Sequence, residues 1–177
     1  MKNILPLTAP ACFALFIADS VAQQNPKLSD AEVAHAAVTA NQIDIDFAVI
    51  AKSKSSNKDI LKFAETMTND HNAVIAQAVA LAKKLAVTPT GNDVSNQLTA
   101  DAEKTSKILR ATSKKDFDKV YINNEVAYHK AVISAVEGVL IPETENSELK
   151  ELLQNVVPAL KAHLQHAEMV QKMVSGK

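Results

Sequence analysis

From Asp30 onward, apolar residues recur at every third or fourth position over long stretches, and each stretch ends in a polar or proline-bearing cluster. This spacing is the buried stripe of an amphipathic helix, and it predicts four long helices. The first runs from about Asp30 to Lys54 on the seam Val33, Ala37, Ala40, Asp44, Phe47, Ala51, with Ser29 and Glu32 spaced as a capping box. A short polar turn, Ser53 to Asn57, sets the second helix antiparallel to it. That helix runs from about Lys58 to Ala86 on Ile60, Ala64, Met67, His71, Val74, Ala78, Leu81 and Leu85. Val87 to Asn92 breaks the pattern, and Asp93 to Thr112 is helical but less apolar and less regular.

The third long helix is expected over Phe117 to Val139, ending near Gly138, after a cap at Ser113 or Asp116. Its seam is Ile122, Glu125, His129, Val132, Val136, Val139, and Leu140 to Glu143 reads as the next connection. The fourth starts near Ser147 on Leu149, Leu153, Val156, Leu160, His163, Ala167, Val170, Val174. Pro158 inside it should bend the helix and free the carbonyl of Gln154.

Each seam carries ionisable intruders: Asp44, His71, the Glu125/His129 pair and His163, with His166 just beyond. Counting residues from the turns puts them in the same middle third, provided Asp93–Thr112 carries the chain back along the bundle. The expected fold is therefore all-α: a ferritin-like four-helix bundle with a long, partly helical crossover between helices 2 and 3. His35 falls off the seam and reads as solvated. Glu65, Asp70, Tyr121 and Tyr128 read as surface charge and ordinary core aromatics rather than as partners of the layer.

Composition agrees with helices: 47% hydrophobic residues with only 4% aromatics and three glycines leave little from which to build sheets. A net charge of −1 without a basic cluster argues against a nucleic-acid partner and against a basic membrane-binding face. Residues 1–22 read as an export signal, with Lys2, an apolar run from Ile4 to Ile17, and Ser20-Val21-Ala22 as a cleavage site. Residues 23–177 would then be a single exported domain, most simply periplasmic, with no transmembrane segment. Cys12 lies in the leader, so the mature chain would lack disulfides and thiolate chemistry.

No nucleophile set, phosphate-binding loop or cofactor motif is present, and nothing marks the chain as an enzyme. Two readings of the polar layer remain. Burying several ionisable groups together is costly unless they neutralise one another or hold a cation. Neutral imidazole and carboxylate are ligands for zinc, copper and iron. On the first reading Asp44, His71, Glu125, His129 and His163 hold one divalent ion, with His166 as an alternate ligand. On the second they form a hydrogen-bonded layer that fixes helix register in a non-catalytic structural or interaction bundle. Neither specifies a protein partner or an oligomeric state.

Several motifs taken together carry a family resemblance. They are Ala40-Asn41-Gln42 with an acidic residue at 44, Phe63-Ala64-Glu65-Thr66-Met67 leading to Asp70-His71, Phe117-Asp118 through Tyr121 to His129, and Pro158-Ala159 through His163 and His166. From about Leu28 to Met173 the chain resembles bacterial exported proteins grouped as domain of unknown function 4142 and often described as outer membrane proteins. The resemblance implies a ferritin-like fold and export, with no settled activity, and a role in envelope maintenance or stress is expected only by analogy of fold. Members typically carry glutamate where this chain has Asp44. Di-iron bundles use a Glu-x-x-His motif on two helices. Here Glu125 and His129 are four apart, and His163-x-x-His166 has no seam glutamate, which argues against iron storage.

Overall fold

The computed structural model describes residues 27–176. The expected leader with Cys12, and the link up to Pro26, lie outside the described residues. Among the described residues the chain is helical, without strands, and no helix is long and apolar enough to cross a membrane.

Helix α1 spans Asp30–Lys54 and begins at the predicted capping box, in which Ser29 and Glu32 satisfy each other's backbone amides. Helix α2 spans Lys58–Lys84, capped by Asn57, and lies antiparallel to α1, with Lys52 of one donating to Thr68 of the other. It stops two residues before the expected Ala86. The Ala86 amide donates to the Lys83 carbonyl and the Val87 amide to the Ala82 carbonyl, which is a Schellman closure. That closure puts Ala86 at φ 53°, a left-handed conformation normally given to glycine.

Helix α3, Asp93–Ala111, returns alongside α1. At its start Asn92 donates to the Glu32 carbonyl; at its end Lys54 donates to the Thr112 carbonyl. Helix α4 spans Lys114–Ala135 and is capped by Ser113, so it starts a turn earlier than Phe117. Gly138 does not end it. The backbone widens into a π turn, Val136–Leu140, and continues as the short helix α5, Ile141–Glu143. A proline cannot donate to the carbonyl four residues back, and its ring clashes there. The wider turn ahead of Pro142 fits that constraint, and it carries Leu140 inward while Val139 stays exposed. Helix α6, Ser147–Ser175, runs unbroken through the exposed Pro158 and buries Val157 where Val156 was expected.

Helices α1 and α6 point one way and α2 and α4 the other; Lys130–Glu168 ties α4 to α6, and Lys161–Glu137 ties the π turn to α6. The aliphatic core falls into two parts. One gathers Phe47, Ile50, Ile60, Phe63, Phe117 and Tyr121; the other gathers Val33, Ala36, Ile133, Val136, Leu149 and Leu153. The polar intruders fall near the boundary between these parts on α1, α4 and α6, and on α2 His71 follows the last buried residue of the first part.

The left-handed Ala86 yields a clean test. Ala86→Gly relieves the Cβ clash there and should raise the unfolding free energy by about 1 kcal/mol in urea denaturation. Ala82→Gly, inside the helix, should lower it by a similar amount, about 1 kcal/mol.

Candidate metal centre

Asp44 and Glu125 are fully buried, and His129, His71 and His163 nearly so. Helix periodicity explains why: each occupies a seam position, so turning it outward would expose its aliphatic neighbours. The seams bring four helices to one place. His71 Nε2 lies 3.2 Å and His129 Nε2 3.4 Å from the same Asp44 oxygen, Oδ2. The rings of His71 and His163 have centroids 5.2 Å apart, and those of His129 and His163 are 5.7 Å apart.

The outward-facing nitrogens decide which inward ones carry lone pairs. His71 Nδ1 sits 2.7 Å from Asn41 Oδ1, and the Asn41 amide nitrogen donates to the Ala37 carbonyl, so the oxygen must be the atom facing the ring. His71 therefore donates through Nδ1. His129 Nδ1 lies 2.9 Å from the Glu125 carbonyl, another pure acceptor. His163 Nε2 lies 2.8 Å from Asp70 Oδ2. Each imidazole thus spends its proton on a partner outside the cluster. The remaining nitrogens, His71 Nε2, His129 Nε2 and His163 Nδ1, are buried without a hydrogen-bond partner. The three rings each offer a ligand atom, and these atoms lie within 4.8 Å of one another. Asp44, Glu125 and His129 form a second such group within 4.8 Å.

Electrostatics favour the neutral form of His129 and His163. Burial, the largest influence, lowers the proton affinity of both His129 and His163, outweighing the nearby carboxylates. Burial would raise Asp44, but hydrogen bonding with His71, and the positive charge that His71, His129 and His163 carry whenever protonated, outweigh it and hold the carboxyl below its ordinary range. Burial, then the Asp44 charge, push Glu125 well above the usual carboxylate range. All four oxygens of these two carboxyls lack a hydrogen-bond partner. Lone pairs from two imidazoles and two carboxyls thus converge in a space closed to bulk water. Such convergence is unfavourable unless a proton or a cation stands between them.

His166 is not part of either group. It lies half-buried on the far side of Phe63, with ring centroids 5.1 Å apart, and its position one turn beyond His163 carries it off the convergent face. Two residues that sequence reasoning passed over do contribute. Asn41 precedes Asp44 by three positions, so the helical period places it on the same face, a signal that was available. Asp70 is half-exposed, which matches its reading as surface charge, yet it fixes the His163 ring. Glu65 is exposed, as expected. Tyr128 donates to the Ala40 carbonyl, whereas the Tyr121 hydroxyl is buried without a partner. His35 is half-buried rather than solvated, packed toward Gly91.

With this geometry in place, comparison with known proteins adds one finding. A family model described as "Domain of unknown function (DUF4142)" matches residues 18–170. The chain belongs to that family. No curated protein and no solved structure matches it. The match spans α1 through most of α6, so this DUF4142 domain includes every residue of the cluster.

The tautomers are directly observable. In metal-free protein, ring-nitrogen correlation spectra should show His71 and His129 protonated at Nδ1 and His163 at Nε2. Asn41→Leu removes the acceptor for His71, and its ring should then exchange between tautomers while His163 stays fixed.

Proposed function

We propose that this domain binds one divalent transition-metal ion in mid-bundle, with His71, His129, His163 and Asp44 as ligands and Glu125 as a further carboxylate beside them. The observation that carries this reading is the set of three buried imidazole nitrogens, each freed by a donor bond on the far side of its ring and each left without a partner. A carboxylate or carbonyl behind a ligating histidine fixes its tautomer and raises its basicity. Asn41, the Glu125 carbonyl and Asp70 occupy that place for the three rings. A donor set rich in imidazole suits zinc or copper, with iron a weaker match, and it lacks the carboxylates of a di-iron centre.

A layer that only fixed helix register would gain by satisfying its own polar groups. The unpartnered oxygens of Asp44 and Glu125 weigh against that alternative. The antiparallel pair α1/α2, the long return through α3 and the second pair α4/α6 support a ferritin-like bundle. The leader-like residues 1–22 support export to the periplasm, where a bound ion would serve envelope maintenance or stress resistance.

Elemental analysis of untagged protein purified from the periplasm tests the metal. Near-stoichiometric zinc or copper is expected, reduced to background in His71→Ala and in His129→Ala. At an ion concentration a hundred times Kd, binding should stabilise the fold by about 2.7 kcal/mol, seen as a chelator-sensitive melting temperature. Protein free of metal that takes up none from zinc, copper, iron or manganese would overturn the proposal. Asp70→Asn keeps the shape but weakens the bond to His163 and should reduce affinity by roughly 10-fold or more.

A further inference from the structure

The first half of α1 is rich in alanines, and Ala34, Ala36, Ala37 and Ala40 leave space that larger side chains would have filled. A cavity of about 390 Å³ results, reaching from the candidate metal centre and lined by α1, α2, α3, α4 and α6. Its walls are hydrocarbon, with Val74, Leu98, Val132, Leu153 and Val156 among them. Its polar side chains are few: Asn41, Asp44, His71, Tyr128 and His129 at or beside the cluster, and Asp101 and Thr105 from α3. Asp101 is exposed, as are Ala131 and Ala135 on the facing side of α4, which makes the gap between α3 and α4 the mouth.

We propose that this cavity binds a medium-length alkyl chain bearing one terminal oxygen donor, with the chain along the aliphatic walls and the oxygen at the ion of the mid-bundle centre. The part concerning the oxygen rests on the metal reading above; the part concerning the chain does not. Walls without hydrogen-bonding groups exclude sugars, nucleotides and peptides, whose polar atoms would be left unpaired. A dry apolar cavity of ~150 Å³ accommodates benzene, so by volume this one suits a chain on the order of a dozen carbon atoms. Its size falls among small-molecule pockets, and most of its few polar side chains belong to or adjoin the cluster, which supplies one orienting site. Carboxylate and alcohol heads share the required chemistry, an oxygen that zinc or copper accepts.

Calorimetric titration of the delipidated full chain with decanoate and with decanol, zinc-loaded and zinc-free, tests both parts. Binding near one to one with a negative heat-capacity change is expected, tighter with zinc by about tenfold or more for at least one of the two heads. Ala37→Phe and Val132→Phe fill the cavity from opposite walls. Each should weaken binding by at least about tenfold while the melting temperature holds or rises. Zinc uptake without heat from either compound would overturn the chain site and leave the metal reading standing. Equal affinity with and without zinc would overturn the contact between oxygen and ion. Chain binding without any zinc uptake would sink the metal reading and the oxygen contact together, while supporting the chain site. Undiminished binding in both folded variants would place the chain elsewhere and overturn the proposal.

Discussion

The buried Asp44 carboxylate is the constraint around which this bundle is arranged. It lies between two aliphatic half-cores, out of reach of water, and two imidazoles from two other helices face the same one of its oxygens. An ionised carboxylate cannot be left unpaired in such a place. Only a proton or a cation shared with the facing imidazoles satisfies it, which requires the histidines of α2 and α4 to stand at the height of Asp44, with His163 of α6 beside them. Hydrophobic burial fastens the helices to one another but is indifferent to a shift along the axis by a turn. The polar layer is not indifferent, because any such shift would strand a carboxylate or a ring.

The same layer links register to ligand chemistry. Each histidine is held from behind by an acceptor, so its inward nitrogen is left basic and aimed. Asn41, the Glu125 carbonyl and Asp70 differ in kind, yet each removes the same ambiguity about which ring nitrogen carries the proton. The rings of such a cluster are ordered by folding itself. The alanine-built cavity beside it adds a second property. Alanines on α1 leave volume next to the cluster.

Most of the helical layout was legible in the chain. The capping box at Ser29, the turn at Ser53–Asn57 and the cap at Ser113 are local signals, and the seam positions follow from a period of 3.6 residues. Four departures share one cause: they occur where a local signal met a tertiary demand. Ala86 takes a left-handed conformation because the end of α2 must close there. The chain stays helical through Gly138 because a π turn accommodates Pro142. Val157 replaces Val156, and Leu140 replaces Val139, because neighbouring helices choose between adjacent candidates on the rim of a seam.

The candidate site divides in the same way. Periodicity by itself determined that Asp44, His71, Glu125, His129 and His163 face inward, since each is flanked by apolar residues three and four positions away that cannot be exposed together. Periodicity could not determine that they meet, because the height of one helix against another depends on contacts far apart in sequence. Nor could it show that His166, one turn beyond His163, swings away behind Phe63, or that the half-exposed Asp70 reaches back to fix a buried ring. Those outcomes depend on distances between side chains of different helices, and only the packed structure sets them.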